Sequence, residues 1–120
     1  MPYLLLIRES EEVRTRPLAR ARVAADRMMR FRDALEARGV LVTSSPLRPD
    51  SEGVRIEVRG GKRFVTDGPF AESKEIVGGF FLLDCRTKEE AIAIAGECPA
   101  TEWGTVELRE MSPTCLPDGA

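Results

Sequence analysis

The chain has 120 residues, 42% of them apolar, with 18 basic and 20 acidic side chains and no histidine. That length supports one core, since domains of this size bury roughly two thirds of the surface the unfolded chain exposes. The net charge of −2 provides no global field for nucleic acid or anionic lipid, and the missing histidine excludes Ser-His-Asp and Cys-His activation, a His-Glu-x-x-His zinc site and an imidazole proton shuttle.

The chain opens MPYLLLIRES, with no basic residue before a short apolar run, which is not the pattern of a signal peptide. The longest apolar runs fall far short of the ~20 residues that cross a bilayer, so a soluble, cytoplasmic protein is expected. Tyr3 to Ile7 fits a buried first strand. From Pro17 to Arg38, the residues Leu18, Ala21, Ala25, Met28, Phe31 or Arg32, and Leu35 recur at helical spacing, and Gly39 follows as a left-handed cap. Arginines at 14, 16, 20, 22, 27, 30, 32 and 38 are interleaved with Asp26, Asp33 and Glu36 and lack aromatic neighbours for base stacking. They read as a solvated helix face, with no direct nucleic-acid binding expected.

Val40 to Thr43 reads as a second strand, ended by the loop SSPLRPDSEG. VRIEVR and KRFVT, joined through Gly60 and Gly61, predict a hairpin with Val54, Ile56 and Val58 on one face. IVGGFFLLDC is apolar on both faces and predicts a central strand, Gly78 and Gly79 permitting a bulge. Thr87 to Glu90 supplies a capping box for a second helix with the buried stripe Ala91, Ile92, Ala95 and Cys98, stopped by Pro99. TVELRE alternates as the last strand. Without the hairpin the order is βαββαβ, the α+β ferredoxin-like unit with both helices on one face of an antiparallel sheet. Apolar residues on the other face call for a cover, and a homodimer with its sheets face to face supplies one.

Cys85, Cys98 and Cys115 are odd in number and too widely spaced for a zinc or redox motif, so Cys85 and Cys98 read as buried structural thiols. No metal or cofactor is expected. The segment VTDGPFAESKE stands out. Asp67, Gly68, Pro69 and Phe70 build a turn, with Phe70 free to anchor it in the core. Glu72, Ser73, Lys74 and Glu75 then crowd charge beside the bend.

VTDGPFAESKE followed by GGFFLLD, a capped helix ending Cys98-Pro99, and GTVELRE together resemble the YCII-related family, specifically its DGPF branch. The resemblance covers about residues 1–111 as one domain and leaves 112–120 as a C-terminal tail. It implies a dimeric α+β barrel built on the ferredoxin-like unit. In the YCII branch proper, a His on the first helix and an Asp before a Pro on the second are proposed as a catalytic dyad. Met28 and Cys98 occupy those positions here, so that role does not transfer. The DGPF branch has no established reaction, and many of its members lie beside extracytoplasmic-function sigma factors. Its recurring residues map onto Asp67, Gly68, Pro69, Phe70, Glu72, Lys74 and Glu75 as the polar lining of a ligand site, followed by Gly78 and Gly79.

Two functions follow as expectations. In the first, a small-molecule ligand binds between sheet and helices, with or without a reaction, Asp67 serving as base and Lys74 as its charge partner. Cys98 is disfavoured as a nucleophile, because a helix C-terminus opposes a thiolate. In the second, the dimer is a non-catalytic regulatory module serving a sigma factor.

Overall fold

The computed structural model describes residues 1–70 and 74–117. Strand β1 (Pro2–Ser10) runs into a one-turn helix α1 (Glu11–Arg14), then the long helix α2 (Leu18–Ala37) and strand β2 (Leu41–Pro46). A 3-10 turn (Asp50–Glu52) leads to the hairpin β3 (Val54–Arg59) and β4 (Lys62–Asp67). Strand β5 (Glu75–Asp84), helix α3 (Lys88–Glu97), a 3-10 turn (Pro99–Glu102) and strand β6 (Thr105–Glu110) complete the order.

Four strands form an antiparallel sheet in the order β2-β5-β1-β6, with β1 and β5 interior. This is the expected ferredoxin-like arrangement. Period-two alternation on β1 sends Tyr3, Leu5 and Ile7 into the core, where they meet Phe81, Leu83, Phe31, Leu35, Ala91 and Ile94. Phe31 and Phe81 pack edge to face, with ring centroids 5.3 Å apart at 74°. The shortest principal dimension is 19 Å, the thickness of one helix layer on one sheet. The opposite sheet face carries Leu4, Leu6, Phe80 and Leu82, all half-buried.

Local signals place most of these elements. Gly39, at φ 73°, closes α2 in a Schellman motif, its N–H donating to Glu36 O and that of Val40 to Leu35 O. Thr87 Oγ1 accepts from Glu90 N at 3.1 Å, the backbone half of the capping box. Gly60 and Gly61, at φ 57° and 78°, make the hairpin turn.

Three expectations are corrected. On α3 the buried residues are Ala91 and Ile94, while Ile92 is 53% exposed, because the stripe runs through 91, 94 and 98. On α2 the buried positions are Ala24, Phe31 and Leu35, and Leu18 lies outside the core because its turn precedes the part of the helix that covers the sheet. The loop after Thr43 starts later than expected, since Ser44, Ser45 and Pro46 pair with β5. The hairpin forms as expected, a separate two-stranded sheet with Val54, Ile56 and Val58 exposed. Helix α1 was not expected. Ser10 caps it by accepting from Val13 N at 3.3 Å, and Glu11 and Glu12 favour its first turn.

Candidate functional site

The β1–β5 ladder runs in register until Ile7 pairs with Gly79, and the next pair is Arg8 with Val77. Gly78 is therefore an extra residue, a bulge that turns the start of β5 over. Ile76 then lies opposite Glu9 on the helix-facing side, and Glu75 lies opposite Ser10 on the other. A Cβ on Gly78 would stand 3.0 Å from Glu9 Oε2, so the Glu9 carboxyl rests over bare backbone.

Above this bulge, α2 and the sheet enclose a chamber of about 400 Å³, walled by Met28, Met29, Phe81, Ala24 and Trp103 and floored by Gly78 and Gly79. It opens at Glu9, Arg16, Ala21 and Gly78 into an outer chamber of about 630 Å³ beneath the 3-10 turn, where Pro69, Phe70, Arg14 and Asp50 stand. The two form one cleft with an apolar inner end and a polar mouth.

The charges of the cleft fall into two sets. Arg14 donates to Asp50 Oδ1 at 2.5 Å, and Arg48 meets Glu52 at 2.8 Å. Arg32 is engaged outward by Asp33 at 3.2 Å and Glu36 at 3.8 Å. The side chains of Glu9 and Arg16, at the neck between the chambers, have no hydrogen-bond or ion-pair partner among the described residues. The Arg16 guanidinium carbon lies 5.2 Å from the centroid of the Trp103 ring, and Arg27 flanks the same ring at 5.6 Å. Arg27 is held by both oxygens of Glu102, a contact that keeps the Glu102 carboxyl below the usual carboxylate range. The buried indole N–H of Trp103 has no acceptor among the described residues.

The DGPF segment reaches this cleft in part. Gly68 N donates to Gly53 O at 2.9 Å, and a Cβ on Gly68 would stand 1.9 Å from Asp50 O, so only glycine fits. The Gly68–Pro69 peptide is cis, and Pro69 and Phe70 line the outer chamber. Phe70 is not a core anchor: it is half-buried, with the Arg55 guanidinium carbon 3.8 Å from its ring centroid. Asp67 ends β4 opposite Val54 and is exposed, Lys74 is exposed, and no ion pair joins them. Glu72 lies outside the described residues. Glu75 belongs to the opposite sheet face, where it accepts from Thr105 Oγ1 at 3.4 Å and lies 3.8 Å from Arg8 Nε. Arg8 also donates to Glu107 at 3.0 Å and holds that carboxyl below its usual range.

Met28 lines the inner chamber, whereas Cys98 is fully buried in the core, where burial raises its thiol pKa. Those two positions therefore do not form a pair of polar groups across a cleft. Sequence reasoning missed Glu9 and Arg16. Glu9 was discoverable, because it continues the core-facing parity of Tyr3, Leu5 and Ile7 with a carboxylate.

The sequence matches the YCII-related domain family over residues 1–114. It is 31% identical over 120 residues to uncharacterized protein R00369 of Rhizobium meliloti (strain 1021), covering 93% of each chain. In fold it is similar to 5-chloro-2-hydroxyhydroquinone dehydrochlorinase (TftG) from Burkholderia phenoliruptrix AC1100, solved in complex with 2,5-dihydroxybenzoquinone. That likeness has a TM-score of 0.51 at 14% identity and spans 93% of this chain and 94% of the other.

Proposed function

The chain belongs to the YCII-related family, and we propose that it is a small-molecule-binding domain whose site is the two-chambered cleft beneath α2. One observation carries this: Glu9 and Arg16, whose charged side chains have no hydrogen-bond or ion-pair partner among the described residues, share the neck of a cleft with apolar walls. Charged side chains left unpaired beside sheltered apolar surface are what a polar-ended ligand would complete. The fold neighbour's name describes an enzyme with a small organic compound bound, which agrees with that use of the fold. If a reaction occurs here, the Glu9 carboxylate is the group placed to accept a proton.

We assign the chain to the DGPF branch on VTDGPFAESKE, with residues 1–111 as the domain and 112–120 as its tail. In this proposal Asp67 and Gly68 shape the turn at the mouth, Pro69 and Phe70 touch the ligand, and Lys74 is a charged neighbour of that turn, while Glu72 lies outside the described residues and Glu75 belongs to the opposite sheet face. The half-buried face of Leu4, Leu6, Phe80 and Leu82 is the homodimer surface, which sedimentation at micromolar concentration tests. A cytoplasmic location fits these roles. The regulatory alternative, a module serving an extracytoplasmic-function sigma factor, rests on no residue of the fold.

The test is a metabolite thermal-shift screen. A compound that raises the melting temperature of the wild type should lose its effect in Met28→Trp, which fills the inner chamber. No shift across a broad library, together with a stability loss in Asp67→Ala, would return the DGPF segment to a purely structural role.

A further inference from the structure

The hairpin of β3 and β4 carries an apolar face that stays open among the described residues. We propose that it is a contact between two copies of this chain, separate from the face of Leu4, Leu6, Phe80 and Leu82. Residues directly opposite in an antiparallel pair share a face, so the register sorts the hairpin into two sides. One side holds Arg55, Glu57 and Arg59 opposite Thr66, Phe64 and Lys62. Arginines cover the aromatic surface there, with the Arg59 guanidinium carbon 4.6 Å from the Phe64 ring centroid and that of Arg55 3.8 Å from the Phe70 centroid. The other side holds Val54, Ile56 and Val58 opposite Asp67, Val65 and Arg63. Its four aliphatic side chains are 53–70% exposed. The side chains of Asp67 and Arg63 have no hydrogen-bond or ion-pair partner among the described residues.

The order of these residues fits the face to itself. Ile56 and Val65 form the central pair, and Asp67 and Arg63 stand two residues to either side of Val65 on β4. A two-fold axis between the faces, perpendicular to the strands and over the central pair, lays a second copy face to face with its strands reversed. β3 then covers β3, aliphatic on aliphatic, and each Asp67 faces the partner's Arg63. A two-fold axis along the strands would instead set Val54 and Val58 against the charged residues. Charge complementarity therefore selects one arrangement and fixes its register. A two-stranded hairpin alone is marginal in water, and covering its apolar face would steady it. Four aliphatic side chains a copy make less than the ~800 Å² per partner of a standard interface, so the association is weak and reversible.

Crosslinking of the full chain tests this, in a Cys115→Ser background that removes the exposed thiol. Val65→Cys puts a thiol near the axis, and a bismaleimide that spans the ~10 Å between packed sheets should join two copies. Thr66→Cys, on the other side of the hairpin, should stay unjoined on the same denaturing gel. Adding Arg63→Asp or Asp67→Arg to Val65→Cys sets like charges against each other and should cut the crosslinked yield about tenfold. An equimolar mixture of those two variants restores both ion pairs between unlike copies, so the yield should return as the mixed product. All the substituted hairpin positions are exposed, and unchanged melting temperatures certify the fold. Absent crosslinking at position 65, equal crosslinking at 65 and 66, or a mixture no better than its components would each overturn the contact.

Discussion

Arg14 Nη1 donates to Asp50 Oδ1 at 2.5 Å, joining the one-turn helix after β1 to the 3-10 turn that carries the hairpin. With side chains only 20% and 13% exposed, this is the most sheltered ion pair among those described. Removing one partner of a sheltered, charge-assisted hydrogen bond leaves the other desolvated. Asp50→Ala should therefore lower the unfolding free energy by about 1–3 kcal/mol, measured by urea denaturation. Arg14→Ala should cost a similar amount, and the double variant little more than either single one.

Gly68 and Gly96 make opposite predictions for the same substitution. At Gly68 the new methyl would meet Asp50 O at 1.9 Å, so Gly68→Ala must displace the turn at a cost of about 1–3 kcal/mol. At Gly96, inside α3, nothing lies within 4 Å of the new Cβ. Gly96→Ala should stabilise the protein by about 0.5–1 kcal/mol. Paired thermal melts check both, and a neutral Gly68→Ala would mean that the turn is looser than described.

The thiols differ in access. Cys85 and Cys98 are buried, and burial raises the pKa of each, whereas Cys115 is exposed. A chromogenic disulfide reagent at neutral pH should label Cys115 rapidly and the other two only on unfolding. In Cys115→Ser the fast phase should vanish. A surviving fast phase would mean that one of the two core thiols is reached from solvent.

The Arg27 hydrogen bonds hold Glu102 below its ordinary value of 4.5. A carboxyl with a depressed folded pKa contributes stability above its unfolded pKa and loses it as the pH falls through the folded one. Glu102→Gln should therefore melt below the wild type at pH 6 and converge with it in acid, as the pH falls through the depressed folded pKa. Glu107, depressed chiefly by its hydrogen bond from Arg8, should follow the same rule in Glu107→Gln. A gap that persists unchanged into acid would assign the loss to packing and not to ionisation.

Much of the fold was legible because its signals are local. Gly39, Thr87 and the Gly60-Gly61 pair act within a few residues, so each names its cap or turn directly. Phase was harder. Ile92 and Ile94 are equally apolar, and only packing against the sheet decides that Ile94 is the buried one. The hairpin shows the same limit, since the alternation of Val54, Ile56 and Val58 specifies a shared face but not that anything covers it. In the candidate site, the DGPF turn announced itself through its glycine and proline. Glu9 showed only as a carboxylate in the core-facing parity of β1, and Arg16 not at all, because its significance is a side chain with no carboxylate partner among the described residues, which only three-dimensional placement reveals.

The bulge at Gly78 makes the allocation of side chains between the two sides of β5 a matter of counting. A straight ladder that paired Gly78 with Arg8 would exchange Glu75 and Ile76 between the faces, moving a carboxylate under α2 and an isoleucine to the face that carries Arg8. Every residue of VTDGPFAESKE would be intact, yet its charges would arrive at the wrong address. Relatives of this chain are thus best compared by the spacing from DGPF to the paired glycines as well as by the letters themselves.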